Sequence, residues 1–347
     1  MTTKRLSIFA FILVYLVTLE LAVEYRSKER GFSTYLLGKK NTNPVVQVNN
    51  KNLFPFRSPA VDNLKKNNYV RIWMASASYA EDTKRQINEL FPNILCEKIN
   101  TAKQPCQMLN AAKAGYTISD NIKQLKSNVK KWNPDYALLY SMNLDINNLS
   151  SQYLSLNKTK ETNKESENVN KLHTTALSVD ERIEKTVEQM TIYGHLRRYI
   201  GGHVLMSSLL HNEIGYKANN RFKITLQNFI KTCKELGVKP ILVTFATKYN
   251  ISNFKKMKYD EKLFLTRYNE YLSPKGWVKT IRDFNNIIRQ TANENSIPYI
   301  DLAKNLGGQS EYFTDFVHFT KNGHKIVGQR LADEIIHIVN KNHGHKS

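Results

Sequence analysis

Five short apolar runs, each closed by turn residues or charges, punctuate the chain: YVRIWMA at 69–75, CQMLNA at 106–111, YALLYS at 136–141, VKPILVTF at 238–245 and IPYID at 297–301. Runs this short and this rich in β-favouring residues read as strands. Between them apolar positions recur at helical spacing over 80–91, 117–132, 219–236, 277–295 and 321–341. Strands that alternate with helices of such length imply parallel pairing, because parallel neighbours need a crossover and the crossover carries the helix. The pattern therefore predicts an α/β fold, a three-layer sandwich around a five-stranded parallel sheet. In such sheets ligands gather at the carboxyl edge of the strands, so chemistry is to be sought in the loop after each run.

Three stretches depart from this rhythm. Residues 6–19, LSIFAFILVYLVTL, follow Lys4 and Arg5 and are apolar on every face, and the apolar character continues weakly to Arg26. About 18 such residues sit at the lower edge of what crosses a bilayer as a helix. With no A-x-A cleavage site after it, the run reads as an uncleaved single-pass transmembrane helix with the body extracytoplasmic, a cleaved signal being the alternative. Arg26, Lys28, Arg30, Lys39 and Lys40 beyond the run oppose that orientation. The domain boundaries expected are an anchor or signal over 1–26, a linker over 27–68 and one domain over 69–345 with an insertion or cap at 146–215. Within that insertion 150–176 is polar, and 180–212 begins helical and breaks at Gly201 and Gly202.

Composition changes the picture little. Among 347 residues, 51 Lys and Arg against 30 Asp and Glu leave a net charge of +21, a field that favours anionic partners. The lysines lie scattered beside asparagines, as in SNVKKWN, with no arginine stripe interleaved with aromatics, so no specific nucleic-acid role follows. Cys96, Cys106 and Cys233 match no metal pattern and read as buried thiols, with a Cys96–Cys106 bridge as the alternative in an oxidising compartment. His195, His203 and His211 recur every eight residues, but the two glycines interrupt any common face, so packing or exposure is expected rather than metal. No cofactor or metal is implied, and the oligomeric state stays open.

Chemistry-bearing residues follow the strands in order. MASASYAED at 74–82 offers Ser76 and Ser78 at a strand-to-helix turn, where helix amides can stabilise negative charge. NAAKAGYT at 110–117 holds Gly115, and SMNLDINN at 141–148 holds Asn143. In YFTDFVHFTKNGH at 312–324, Asp315 and His318 stand three apart among Phe313, Phe316, Val317 and Phe319, which would bury the loop. A carboxylate that orients an imidazole is what a serine nucleophile needs as its base. Asp301 reads as a cap or brace for the site, and His324 as a residue of the helix start.

Taken together, the order Ser, Gly, Asn and Asp-x-x-His, each after its own strand, resembles the SGNH (GDSL-like) hydrolase family, whose sheet is flavodoxin-like. The resemblance covers 69–340, leaves 146–215 unmatched, and is similar to the branch with an N-terminal membrane segment. Its most specific piece is YFTDFVHFTKNGHKIVGQRLADEI, followed by LNAAKAGYT and WNPDYALLYSMN. By that resemblance Ser76 is the nucleophile, with Ser78 as its competitor. His318 is the base, oriented by Asp315, and the Ser76 amide, Gly115 and Asn143 form the oxyanion hole. The resemblance implies a serine esterase working through an acyl-enzyme on an O-acetyl or other short acyl ester of an envelope glycan or surface polymer. Lysophospholipid or other lipid esters, acyl transfer, and a catalytically decayed envelope binding protein are the alternatives. Two departures stand out: Met74 and Ala75 precede Ser76 where the family carries Gly-Asp or Gly-Gly, and Ser141 replaces the glycine of the third block.

Overall fold

A computed structural model describes residues 55–62, 64–65, 68–102, 105–154, 210–269 and 271–343, together with Tyr15 and Thr18. Its elements, in chain order, are β1 (Val70–Ser76), α1 (Ser78–Glu81), α2 (Phe91–Thr101), β2 (Cys106–Asn110), α3 (Ile118–Trp132), β3 (Tyr136–Tyr140), α4 (Asn143–Leu154), α5 (Tyr216–Glu235), β4 (Lys239–Val243), α6 (Tyr259–Tyr268), α7 (Pro274–Glu294), β5 (Tyr299–Ile300), α8 (Leu302–Leu306) and α9 (Lys321–His343). The strands form one sheet in the order β2-β1-β3-β4-β5, with every pairing parallel. All five strand runs read from the sequence are present, each within two residues at either end.

Every residue of β1 and β3 is buried, as a parallel sheet covered on both faces requires. Helices α2 and α9 pack together in one layer, while α5 packs against α3, α4 and α7 in another. The approach of α9 to α2 is close: a Cβ at Gly328 would stand 2.8 Å from Ile94 Cβ and 2.9 Å from the Phe91 carbonyl, so only glycine fits.

Local chemistry explains the boundaries that matter for the site. Thr117 and Asp120 form a reciprocal capping box that starts α3 directly after the loop carrying Gly115, and Asn133 in the left-handed region ends it. Ser273 accepts the Gly276 amide and Pro274 opens α7, where a missing N–H costs nothing. Asp301 caps α8 through Lys304 N–H and is gripped by Arg289 and Thr244, the brace expected of it.

Four expectations need correction. The predicted helix at 80–91 is instead a single turn, α1, a 3-10 turn at Ile87–Glu89 and then α2. Arg57 donates to the carbonyls of Glu81, Asp82 and Arg85, which diverts those acceptors from helix continuation, and Pro92 falls in the first turn of α2, where proline is tolerated. The linker expected over 27–68 is not all peripheral: Phe56 is buried edge-to-face against Trp73 and Trp132. Residues 146–154, assigned to the insertion, continue α4, which buries Ile146 and Leu149. Cys96 and Cys106 are disulfide-bonded, with S–S 2.05 Å and Cα–Cα 5.4 Å, rather than free thiols; Cys233 is the buried free cysteine. The bridge exists because the β1-α2-β2 crossover folds α2 back over β2, which a spacing of ten residues does not reveal.

The core unit comprises Lys51–Leu156, His211–Lys258 and Asn269–Ser347. A second unit comprises Met1–Asn50, Asn157–Leu210 and Tyr259–Tyr268, of which α6, Tyr15, Thr18 and Leu210 are described. The anchor predicted over 1–26 lies outside the described residues apart from those two, as do the insert from 155 onward, its helical cap to 209, and His195 and His203. Among the described residues no helix is long and apolar enough to cross a membrane.

Replacing Cys96 and Cys106 by serine is expected to cost about 2–3 kcal/mol, the loop-closure value for a link of this span, read from urea unfolding of oxidised and mutant protein. Equal midpoints would show that the α2–β2 packing holds without the bond.

Candidate active site

The end of β1 separates the two candidate serines. Ser76 is the last ladder residue of β1, paired with Tyr140 of β3, and is fully buried. Its hydroxyl donates to the Tyr140 carbonyl at 2.6 Å. The expectation that Ser76 is the nucleophile is therefore corrected: its proton and its position are both committed to the sheet. Ser78 opens α1 two residues on, is partly exposed, and places its Oγ 2.9 Å from His318 Nε2. Counted from Ser78, the two positions that the resemblance fills with Gly-Asp or Gly-Gly hold Ser76 and Ala77.

His318 and Asp315 come together as the sequence suggested. Asp315 Oδ2 lies 2.7 Å from His318 Nδ1, and its Oδ1 accepts the backbone amides of Val317 and His318, both at 2.9 Å. With a carboxylate on Nδ1 that nitrogen carries the proton, which leaves the Nε2 lone pair for the Ser78 hydroxyl. Burial pushes the Asp315 carboxyl up, but its bond to His318, that residue's charge and the two amides together hold it below the ordinary carboxylate range. For His318 burial acts downward and is outweighed by the bond to Asp315 and by the charges of Asp315 and Asp82, so the imidazole is more basic than its ordinary 6.5.

The two donors proposed for an oxyanion sit at the same carboxyl edge. Gly115 has φ +87°, a backbone setting open to glycine and strained for any L side chain although space for a Cβ exists. Among the described residues its amide, like that of Ser78, donates to no protein oxygen. Asn143 is buried at the first turn of α4, and its Oδ1 accepts from Trp277 Nε1 at 3.4 Å. Because indole can only donate, this contact fixes which way the amide faces and turns Nδ2 away, free to donate elsewhere.

Contacts not foreseen from the sequence tie these loops together. Tyr79, next to Ser78, accepts the Met142 amide at 3.3 Å and reaches Ser141 Oγ at 3.4 Å, so the serine that replaces the expected glycine is a partner of the turn after β1. Glu81 Oε2 accepts the Ala114 amide at 2.6 Å, one residue before Gly115. Asp145, buried in α4, accepts the Ile118 amide with both oxygens, at 3.2 and 3.3 Å, and burial raises its pKa to about 7. A hint was available in the sequence for Glu81 alone, as an acid in the turn after the serines.

Beneath the site His324 sits in the first turn of α9, as expected, and is fully buried. Its Nδ1 accepts the Phe91 amide at 3.2 Å, so Nε2 carries the proton and faces Asp82 at 3.2 Å. Arg85 joins Asp82 to the Phe319 carbonyl. The pair anchors the turn after Ser78 to α9, which follows the His318 loop. Among the described residues no cluster of His, Cys, Asp or Glu has the geometry of a metal site.

No family model matches the chain, and no curated protein does. Solved structures with a similar course of the chain include a lipase/acylhydrolase from Enterococcus faecalis, 16% identical, covering 77% of this chain and 95% of that one at a TM-score of 0.43. An acetyl xylan esterase is 16% identical over 76% of this chain and 98% of its own, at 0.42. A GDSL-like lipase from Bacteroides thetaiotaomicron VPI-5482 is 12% identical over 82% and 93%, at 0.43.

Proposed function

We propose that the chain is a serine esterase in which Ser78 is the nucleophile, His318 its general base and Asp315 the residue that orients and charges the imidazole. The observation that carries this reading is the unbroken line from Ser78 Oγ through His318 to Asp315, at 2.9 and 2.7 Å, ending on a partly exposed hydroxyl. Ser78 Oγ forms a bond to the ester carbonyl carbon as His318 Nε2 takes its proton, and the carbonyl π pair moves onto oxygen. The amides of Ser78 and Gly115 and the Asn143 Nδ2 donate to that oxyanion. Collapse expels the alkoxide, which receives the proton from His318, and water then repeats the sequence on the acyl-enzyme. An alcohol in place of that water would make the same machinery an acyltransferase.

The substrate we favour is a short acyl ester, acetyl first, on an extracytoplasmic glycan or surface polymer. Three features support it: the Cys96–Cys106 disulfide, which persists in oxidising compartments; the apolar run at 6–19, suited to a membrane anchor; and the net charge of +21, which draws anionic polymers.

A fluorophosphonate is expected to label the parent and Ser76→Ala but not Ser78→Ala, and Ser78→Ala should lose turnover of a chromogenic acetate ester on the order of 10⁴-fold or more. Ser76→Ala removes one buried hydrogen bond, about 1 kcal/mol, and should keep its activity. Labelling lost in Ser76→Ala instead, or absent from the parent, would refute the assignment. Asn143→Ala should lower kcat by roughly 10²- to 10³-fold with labelling of Ser78 retained but slow.

The raised His318 pKa sets the sign of the pH profile. The base works only when neutral, so kcat/KM should rise with pH through a value above 6.5 and then level off. Asp315→Asn removes the charge that raises it, so the acid limb should move to lower pH while the plateau falls. A limb that stays in place would separate Asp315 from His318.

A further inference from the structure

The loop that carries Gly115 is pinned on both flanks by carboxylates from the two other elements of the site. Before the glycine, Glu81 of α1 accepts the Ala114 amide at 2.6 Å. After it, Asp145 of α4 accepts the Ile118 amide at the start of α3 through both oxygens. Glu81 stands three residues from Ser78, and Asp145 two residues from Asn143. Glycine at φ +87° leaves the backbone between these pins without side-chain packing of its own, since nothing stands within 4 Å of where a Cβ would lie. The two carboxylates, with the Tyr116 N–H on the Lys113 carbonyl between them, thus hold the turn that sets the direction of the Gly115 N–H.

Asp145 has an unusual setting for such a role. It is buried, its described partners are backbone amides, and no cation pairs with it among the described residues. A buried acid of this kind costs stability unless its acceptor oxygens are used. The capping box of Thr117 and Asp120 takes up their own two amides, and Asp145 accepts the Ile118 amide that the box leaves over. What Asp145 adds is a link from α4, and therefore from Asn143, to the far side of the Gly115 loop.

We propose that Asp145 and Glu81 are positioning residues that hold the Gly115 amide and the Asn143 amide in one geometry around the oxygen that gains charge, an inference that rests on the esterase reading. Misplacing such a donor by about 1 Å can cost on the order of 10²-fold in rate. Substrate binding would be little altered, because the donors matter when charge develops.

The test uses the full chain. Asp145→Ala is expected to lower kcat on the acetate ester roughly 10- to 100-fold at nearly constant KM, and to weaken a tetrahedral boronate inhibitor by the same factor. Asp145→Asn keeps a carbonyl oxygen for the Ile118 amide, and since burial holds the acid at about 7 its full charge is not required, so this variant should recover most of the rate. Glu81 is only partly buried, which makes Glu81→Ala and Glu81→Gln a second pair should Asp145→Ala not fold, with the same loss and the same rescue expected. Parent-like kcat in both alanine variants, or alanine and amide variants equally impaired, would overturn the proposal. An inactive, unlabelled parent would instead defeat the esterase reading beneath it.

Discussion

Strands that run the same way must end at the same edge, and the rest of this structure depends on that constraint. The register pairs Ser76 with Tyr140, so β1 and β3 finish level, and the Ser76 hydroxyl on the Tyr140 carbonyl closes the last rung. Ser78 and Asn143 then begin their helices two and three residues beyond a common line. β1 lies inside the sheet, with β2 on one side and β3 on the other, so the chain reverses its winding across it. Open α/β sheets bind their ligands at such a reversal, and Ser78 is the serine that lies past the ladder there.

Within this edge the division of labour is electrostatic. In a chain of net charge +21, acids meet backbone amides at each turn of the site: Asp315 at Val317 and His318, Glu81 at Ala114, Asp120 at Thr117 and Asp145 at Ile118. Arginines meet carbonyls in the same way, Arg57 at the turn after α1 and Arg85 at Phe319. With these groups satisfied, the Ser78 and Gly115 amides are left without a protein acceptor among the described residues. Rigid loops with a few uncommitted donors are what charge stabilisation without reorganisation requires.

Much of this was legible beforehand. The five strands and the helices at 117–132, 219–236, 277–295 and 321–341 announced themselves because burial on both faces forces continuous apolar runs and one-sided burial forces helical spacing. The Asp315–His318 pair was readable because its contact is local, three residues apart in a loop walled by aromatics. The choice between Ser76 and Ser78 was not. Both are small, both flank one alanine, and only the length of the β1–β3 ladder says which one is still in the sheet. The break within 80–91 escaped for a related reason, since Arg57, distant along the chain, meets the turn where Asp82 leaves the helical region.

The amino-acid sequence by itself determined the alternation of strands and helices, hence the parallel sheet and the edge where chemistry collects, and it placed an acid and an imidazole in reach of each other. Tertiary structure alone decided which serine meets His318, the Cys96–Cys106 bond, and the partners of Glu81, Asp145 and His324. Periodicity is written along the chain because burial acts residue by residue. Register, crossover and the pairing of distant loops are settled when separate elements dock, and no short stretch carries that information.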